Sequence, residues 1–313
     1  MKKISVITPC FNEELNIVDC ANEVKRIFTT ELTEYEYEHI FSDNNSIDGS
    51  AAILRELTSK DDHVKVLIGS KNVGPFRNMW NALKYATGDA VIPMVPADLQ
   101  DPPSVIPSFV RAWEQGDLVV YGVRQTRQEG LVMRIFRKTY YWIIAKFASE
   151  VIPKNSGEFL LADKRVIEAI LDTNDHYPYI RGLIAQTGVK NSSVNYTWVA
   201  RAKGKSKNSF LQLIDQAING FVSTSRIPAR IALLLGLLIS FLGIAAGLIY
   251  SVLEIFNVHS PIPGISTLLV AVFTMGGVQL FTLGLVGEYV LSIHGQVRRK
   301  PASFYLEKIN IDE

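Results

Sequence analysis

The chain has 313 residues, 20% of them charged and 48% hydrophobic, with a formal net charge of +1. That length holds one large domain or two smaller ones, and the balanced charge gives no global reason to expect a nucleic-acid partner. Cys10 and Cys20 are the two cysteines, so neither a disulfide framework nor a thiolate metal site is indicated, and both are expected as reduced, structural thiols.

Met1-Lys2-Lys3 is followed by an apolar run too short for a signal peptide, so the first domain is expected in the cytosol. From Lys3 to about Val123, short β-rich runs alternate with helical patterns. The predicted strands are Ile4 to Thr8, Tyr37 to Ser42, Val64 to Ile68, Ala90 to Val95 and Leu118 to Gly122, with helices beginning near Glu13, Gly49, Phe76 and Ser104. This rhythm predicts an α/β fold, a doubly wound, mostly parallel sheet with helices on both faces.

Three of these strands end in polar residues rather than plain turns. The first runs into Pro9-Cys10-Phe11-Asn12-Glu13-Glu14 and the second into Asp43-Asn44-Asn45-Ser46-Ile47-Asp48-Gly49-Ser50. The fourth, Ala90 to Val95, stops at Pro96-Ala97-Asp98-Leu99-Gln100-Asp101-Pro102-Pro103. Such ends share the carboxyl edge of an open sheet, where α/β folds bind ligands. Asp43 is suited to accept hydrogen bonds from a nucleobase or ribose, and the open amides of the first helix can face an anion. Asp98 and Asp101 admit two readings: hard oxygen ligands for Mg2+ or Mn2+ carrying a diphosphate, or loop carboxylates capping the next helix at Ser104. No G-x-G-x-x-G follows the first strand, which disfavours a Rossmann dinucleotide site, and Val199 replaces the first glycine a P-loop ending in Gly204-Lys205-Ser206 would need.

Arg201, Lys203, Lys205 and Lys207 crowd one segment without an acid. They suit either a phosphate site or a juxtamembrane stretch holding anionic headgroups. Phe210, Ile214, Ala217, Ile218, Phe221 and Val222 follow at helical spacing, as in an amphipathic helix lying in a membrane interface or packing on the first domain. Ile231 to Leu253 and Gly264 to Gly287 contain no Asp, Glu, Lys or Arg, and each reaches the roughly 20 residues a transmembrane helix needs. Arg226, Arg230, Arg298, Arg299 and Lys300 flank the pair, while the connection between the spans has no Lys or Arg, so both ends are expected in the cytosol. The expected divisions are a cytosolic domain 1–207, an amphipathic helix 208–230, spans 231–253 and 264–290 joined by 254–263, and a cytosolic tail 291–313. That is a multi-pass protein of the cytoplasmic membrane. Gly243-Ile244-Ala245-Ala246-Gly247 offers a small-residue surface for helix pairing or homo-oligomer formation.

The strand-end motifs, with Lys71-Asn72-Val73-Gly74 and Thr87-Gly88-Asp89-Ala90, resemble in order and spacing the signatures of family 2 glycosyltransferases with the GT-A fold. Gly204-Lys205-Ser206-Lys207, the two spans and Gly287-Glu288-Tyr289 extend the likeness to the polyisoprenyl-phosphate branch of that family. The resemblance implies that Pro9, Asn12, Glu13 and Asp43 surround the nucleotide, and that Asp98 and Asp101 lie near metal and diphosphate. It places Glu158, in Gly157-Glu158-Phe159-Leu160, near the sugar and acceptor, and assigns site roles to Arg201, Lys205 and Lys207. Two positions depart from the pattern: Pro96 stands where an Asp usually begins a D-x-D pair, and Leu160 where an Arg is common.

The implied reaction is inverting transfer of a sugar from a nucleotide sugar, UDP-linked in preference to GDP-linked, to undecaprenyl or another polyprenyl phosphate at the cytosolic membrane face. A divalent cation held by Asp98 would neutralise the leaving diphosphate. The acceptor phosphate is largely dianionic near neutral pH, with a second pKa of about 6, and needs little help from a base. Two alternatives are transfer to a sugar hydroxyl of a polysaccharide, which would require a general base, and a membrane scaffold that binds nucleotide sugar without turnover.

Overall fold

A computed structural model describes residues 1–125, 155–173, 178–199, 264–297 and 304–311, with Pro153, Asp175 and single positions between 234 and 256. It divides the chain into one unit of residues 1–210 and 298–313 and a second of residues 211–297.

The first unit is built on one eight-stranded sheet. In chain order its strands are β1 (Lys3–Cys10), β2 (Glu36–Asp43), β3 (Val64–Gly69), β4 (Ala90–Ile92), β5 (Val119–Arg124), β6 (Ser156–Asp163), β7 (Asn191–Tyr196) and β8 (Tyr305–Ile309). They lie side by side as β7-β5-β6-β4-β1-β2-β3-β8. The four central strands β4, β1, β2 and β3 are parallel. β6 is antiparallel to both β4 and β5, β7 is parallel to β5, and β8 is antiparallel to β3, so the sheet is mixed, with six of its eight strands running one way and only β6 and β8 reversed.

Successive residues of a strand face opposite sides of a sheet, and β1 and β2 use both sides for apolar packing. Ile4, Val6 and Phe41 join the core beneath α1 (Ile17–Thr30), α2 (Ser50–Lys60) and α4 (Ile106–Glu114), whereas Ile7 and Ile40 join the core of α3 (Pro75–Leu83), α5 (Lys164–Leu171) and α6 (Ile180–Gln186). Helix α1 buries Ile17, Cys20, Ala21, Val24, Ile27 and Phe28, the i, i+3, i+4 stripe of an amphipathic helix. Each fully buried aliphatic side chain contributes about 1.5–3 kcal/mol, so these two faces hold the three-layer sandwich together. Both cysteines are buried and free.

The first, second, third and fifth predicted strands coincide with β1, β2, β3 and β5 to within two residues at each end. The fourth is shorter: β4 stops at Ile92 because Pro93 offers no amide to a ladder. Three strands carry no forecast, β6, β7 and β8. The last is the most informative, because the tail expected at 291–313 contributes a strand to the sheet edge, where Arg55 grips Glu307 through bonds of 2.8 and 2.7 Å. Asn310 Nδ2 also donates to the carbonyls of Thr58 and Val64.

In the second unit, α7 (Gly264–Val297) is one continuous helix of 34 residues through the second predicted span. Leu268, Val272, Leu280, Phe281 and Leu283 on it are exposed. Among the described residues no helix is long and apolar enough to cross a membrane, the fully described stretch of α7 being 274–287. The amphipathic helix 208–230, Gly243-Ile244-Ala245-Ala246-Gly247 as a run and most of the first span lie outside the described residues, as do Arg201, Lys205 and Lys207.

Candidate active site

The carboxyl ends of β1 and β2 deliver two polar loops that are stitched together. Asn12 N donates to Ser46 Oγ at 2.8 Å, and Asn12 Oδ1 accepts from Ile47 N at 2.8 Å. Glu13 N donates to Ser50 Oγ at 2.9 Å, and Glu14 accepts from Gly49 N at 2.7 Å. Asn12 and Asn45 take φ of 54° and 62°, left-handed values that asparagine tolerates better than most residues. The Lys71-Asn72-Val73-Gly74 turn is tied on by Asn44, whose amide donates to Asn72 Oδ1 and accepts from Val73 N, each at 2.9 Å.

Asp43 is 1% exposed. Its carboxylate accepts from the backbone amide of Ser46 at 3.0 Å and from the Ser46 hydroxyl. Burial pushes its carboxyl above the usual range, opposed by those two bonds. In this structure Asp43 shapes the loop, and Pro9, Asn12 and Glu13 line the same edge beside it.

The loop after β4 carries Asp98. Leu99 adopts φ of 58°, an unusual conformation for a leucine that costs about 1–2 kcal/mol. The turn is closed by Leu99 N to Pro96 O at 3.1 Å and Gln100 N to Asp98 Oδ1 at 3.2 Å. Asp101 is placed differently: Arg124 from the end of β5 and Tyr196 from the end of β7 both bond to its carboxylate. The residues that stand at the N-caps of the following 3-10 turn and of α4, Pro102 and Val105, make no side-chain cap.

Glu158, near the start of antiparallel β6, also reaches this edge and is 6% exposed. Arg181 Nε donates to its Oε1 at 2.8 Å. Burial raises the Glu158 carboxyl above its ordinary range, and Arg181 opposes that rise. Leu160, which stands where an Arg is common, is fully buried in the core shared with α5 and α6 and packs there.

Arg124, Arg181 and Tyr196 are the site-edge residues that sequence reasoning passed over. An arginine closing the apolar strand Val119 to Arg124 was a usable signal; Tyr196 ends a largely polar strand and gave none. Among the described residues no cluster of three His, Cys, Asp or Glu side chains could hold a metal. The donor set at Asp98 nonetheless fits Mg2+ or Mn2+, which commonly take one or two carboxylates and complete their shell with substrate phosphate and water.

The Glycosyl transferase family 2 profile matches residues 5–170. An uncharacterized glycosyltransferase of Synechocystis sp. is 31% identical over 300 residues, covering 96% of this chain and 93% of the relative. The SfII prophage-derived bactoprenol glucosyl transferase of Shigella flexneri is also 31% identical over 300 residues, covering 96% of each chain. A mannosyltransferase from Pyrobaculum calidifontis, solved with GDP-mannose and Mn2+, shares the fold at a TM-score of 0.50 and 14% identity, over 96% of this chain and 88% of that one. With its mixed α/β sheet, its polar carboxyl edge and these relatives, the chain belongs to glycosyl transferase family 2.

Proposed function

We propose that the chain transfers a sugar from a nucleotide sugar, UDP-linked in preference to GDP-linked, to a polyprenyl phosphate at the cytosolic face of a membrane, with inversion at the anomeric carbon. The observation that carries this reading is the length of the likeness to bactoprenol glucosyl transferase. It spans 96% of both chains, well past the matched domain and through the apolar segment.

The loops carrying Pro9, Asn12, Glu13 and Asp43 would receive the nucleoside. Asp98 would be the protein ligand to Mg2+ or Mn2+, which when bound neutralises charge on the departing diphosphate. Glu158 would lie beside the sugar. Arg201, Lys205 and Lys207 would meet the acceptor phosphate, supported by the positive charge that a dianion requires when it approaches an already anionic donor.

Membrane insertion of residues 231–253 and 264–290 belongs to the same proposal. It is supported by the absence of Asp, Glu, Lys and Arg through 264–287 and by the exposed apolar side chains of α7. Because β8 pairs with β3, the chain before residue 211 and the chain after 297 enter one sheet. A segment joining two strands of one sheet crosses a bilayer an even number of times, which two spans satisfy.

The test is a product assay with the full chain in detergent, undecaprenyl phosphate, Mn2+ or Mg2+ and a panel of UDP- and GDP-sugars, read by mass spectrometry. A β-linked sugar phosphate of the lipid, lost with chelator and with Asp98→Ala, is the expected result. UDP binding without product across the panel would favour the non-catalytic reading, and Pro96 would then be the first residue to replace with Asp.

A further inference from the structure

The two oxygens of Glu158 have different surroundings. Oε1 accepts from Arg181 Nε at 2.8 Å, while Oε2 is buried without a hydrogen-bond partner. Arg181 does more than neutralise a charge. Its Nη1 donates to Ser156 O at 2.5 Å, so one guanidinium grips both the Glu158 side chain and the strand that carries it. The Tyr179 ring lies 5.3 Å from the guanidinium carbon. A Cβ at Gly182 would meet Tyr179 Cδ1 at 2.3 Å, so glycine there is what lets the ring fold back over α6.

A pair with a buried carboxylate and a partly buried guanidinium is a poor device for stability, since the desolvation of the carboxylate offsets much of the attraction. A buried acceptor left without a donor adds a further penalty of about 1–3 kcal/mol. Both costs make sense where a ligand supplies the missing donor.

We propose that Arg181 is a positioning residue for sugar transfer: it commits Glu158 Oε1 and fixes the carboxylate so that Oε2 accepts a hydrogen bond from a hydroxyl of the bound sugar. The inference rests on the glycosyltransferase reading above and on Glu158 lying beside the sugar.

The groups facing Glu158 define how the pair responds to pH. Arg181 and Tyr179 approach from α6 and the residue before it, and Tyr121 from β5, its phenol pushed up to about 12 and therefore neutral. Arg124 lies beside Gly157 but is committed to Asp101. Without the Arg181 guanidinium, burial is opposed only by the Arg181 backbone amide, so the Glu158 carboxyl rises further and the protonated form, a donor in place of an acceptor, is favoured.

The experiment measures kcat/KM for UDP-glucose with undecaprenyl phosphate from about pH 6 to 9, bracketing neutrality, on the full chain and on Arg181→Met, Arg181→Lys, Glu158→Gln and the double variant Arg181→Met with Glu158→Gln. Arg181→Met is expected to lose about 100-fold at neutral pH, with the deficit shrinking as pH rises. The double variant is expected to be no slower than Glu158→Gln. Arg181→Lys keeps the charge and one donor, so it should retain the wild-type pH profile at about a tenth of the rate. A loss independent of pH, or one that multiplies with that of Glu158→Gln, overturns the proposal. Should Arg181→Met fail to fold, Arg181→Lys decides: an unchanged kcat/KM overturns it. An active wild type with a fully active Glu158→Gln removes the proposal alone, whereas a wild type inactive with UDP-glucose and with every other sugar of the panel removes the proposed transfer reaction and the inference with it.

Discussion

Arg124 meets Asp101 through two parallel hydrogen bonds, Nε to Oδ1 at 2.9 Å and Nη2 to Oδ2 at 2.7 Å. Tyr196 donates to the same Oδ1 at 2.5 Å, and its own oxygen accepts from Arg124 Nε at 3.0 Å. The loop after β4 is thereby fastened to the ends of β5 and β7. Both oxygens of Asp101 face protein donors, while Asp98, three residues earlier and partly exposed, is the residue to which the proposed function gives the metal.

This separation of roles predicts opposite phenotypes for two similar substitutions. Asp98→Asn should weaken Mn2+-supported binding of UDP at least about tenfold while the fold persists, because it removes a charged ligand oxygen. Asp101→Asn should leave that binding within about threefold but lower stability by about 2 kcal/mol, since Arg124 loses its partner while largely buried. Calorimetric titration with UDP and Mn2+, paired with thermal unfolding, separates them. The reverse pattern would return Asp101 to the metal and make its pairing with Arg124 a resting arrangement.

Leu99 predicts an inversion of the usual order of substitutions. Its side chain packs partly against the core, so any truncation loses apolar contact. At φ of 58°, however, glycine escapes the strain that alanine keeps. Leu99→Gly should therefore be more stable than Leu99→Ala by about 1 kcal/mol, where glycine in ordinary backbone would be the less stable of the two. Equilibrium unfolding in urea measures the difference. Alanine proving equal or better would mean that the turn relaxes out of the left-handed region.

His39 makes the fold sensitive to acid. Its ring is buried, with Nε2 at 2.8 Å from Thr8 Oγ1 and the ring centroid 4.1 Å from that of Phe41. Burial pushes its pKa down from 6.5 to about 3. Between those values the unfolded chain binds a proton that the folded chain does not, so stability falls as pH drops below about 6.5. By pH 5 the loss amounts to about 2 kcal/mol. Asp43 and Glu158, both raised, act in the opposite sense in native and variant proteins alike. Comparing His39→Gln with wild type isolates the histidine: the variant's loss between pH 7 and pH 5 should be smaller by about 2 kcal/mol. An unchanged slope would mean that His39 is charged in the folded state.

The parts of this architecture legible from sequence are those with local signals. β1, β2 and β3 announce themselves as apolar runs that stop at Asn, Asp and Gly, and the two polar loops they deliver do meet at one edge. The two edge strands gave no such signal. β7 is the largely polar run Asn191 to Tyr196, a half-exposed edge strand without clean alternation, and β8 follows a long apolar helix whose composition points to a tail. The ties that organise the site were hidden for a different reason. Asp101 finds Arg124 across 23 residues and Tyr196 across 95, and Asp43 turns inward to Ser46 rather than outward. Residue type and spacing place such groups at an edge, but the pairing among them is decided by packing.

The C-terminal strand supplies the last prediction. β8 covers the edge of β3, and an uncovered edge exposes amides and carbonyls that pair with other chains. Ile309 and Ile311 pack against the two cores, and Lys308 Nζ lies 5.1 Å from the Tyr85 ring centroid. The Arg55–Glu307 pair is exposed on both sides, so Glu307→Ala should cost no more than a few tenths of a kcal/mol. Ending the chain after residue 303 is a different matter, because it removes the ladder and both isoleucines together. Such a truncation should leave membrane targeting intact yet give a first unit that aggregates and unfolds at lower temperature, seen by size-exclusion chromatography and thermal unfolding in detergent. Supplying residues 304–313 as a peptide should restore part of the lost stability, as strand addition to an open edge does. A truncated protein that stays monodisperse with unchanged unfolding would show that β3 closes its edge without β8, and would remove the support that the shared sheet lends to an even number of membrane crossings.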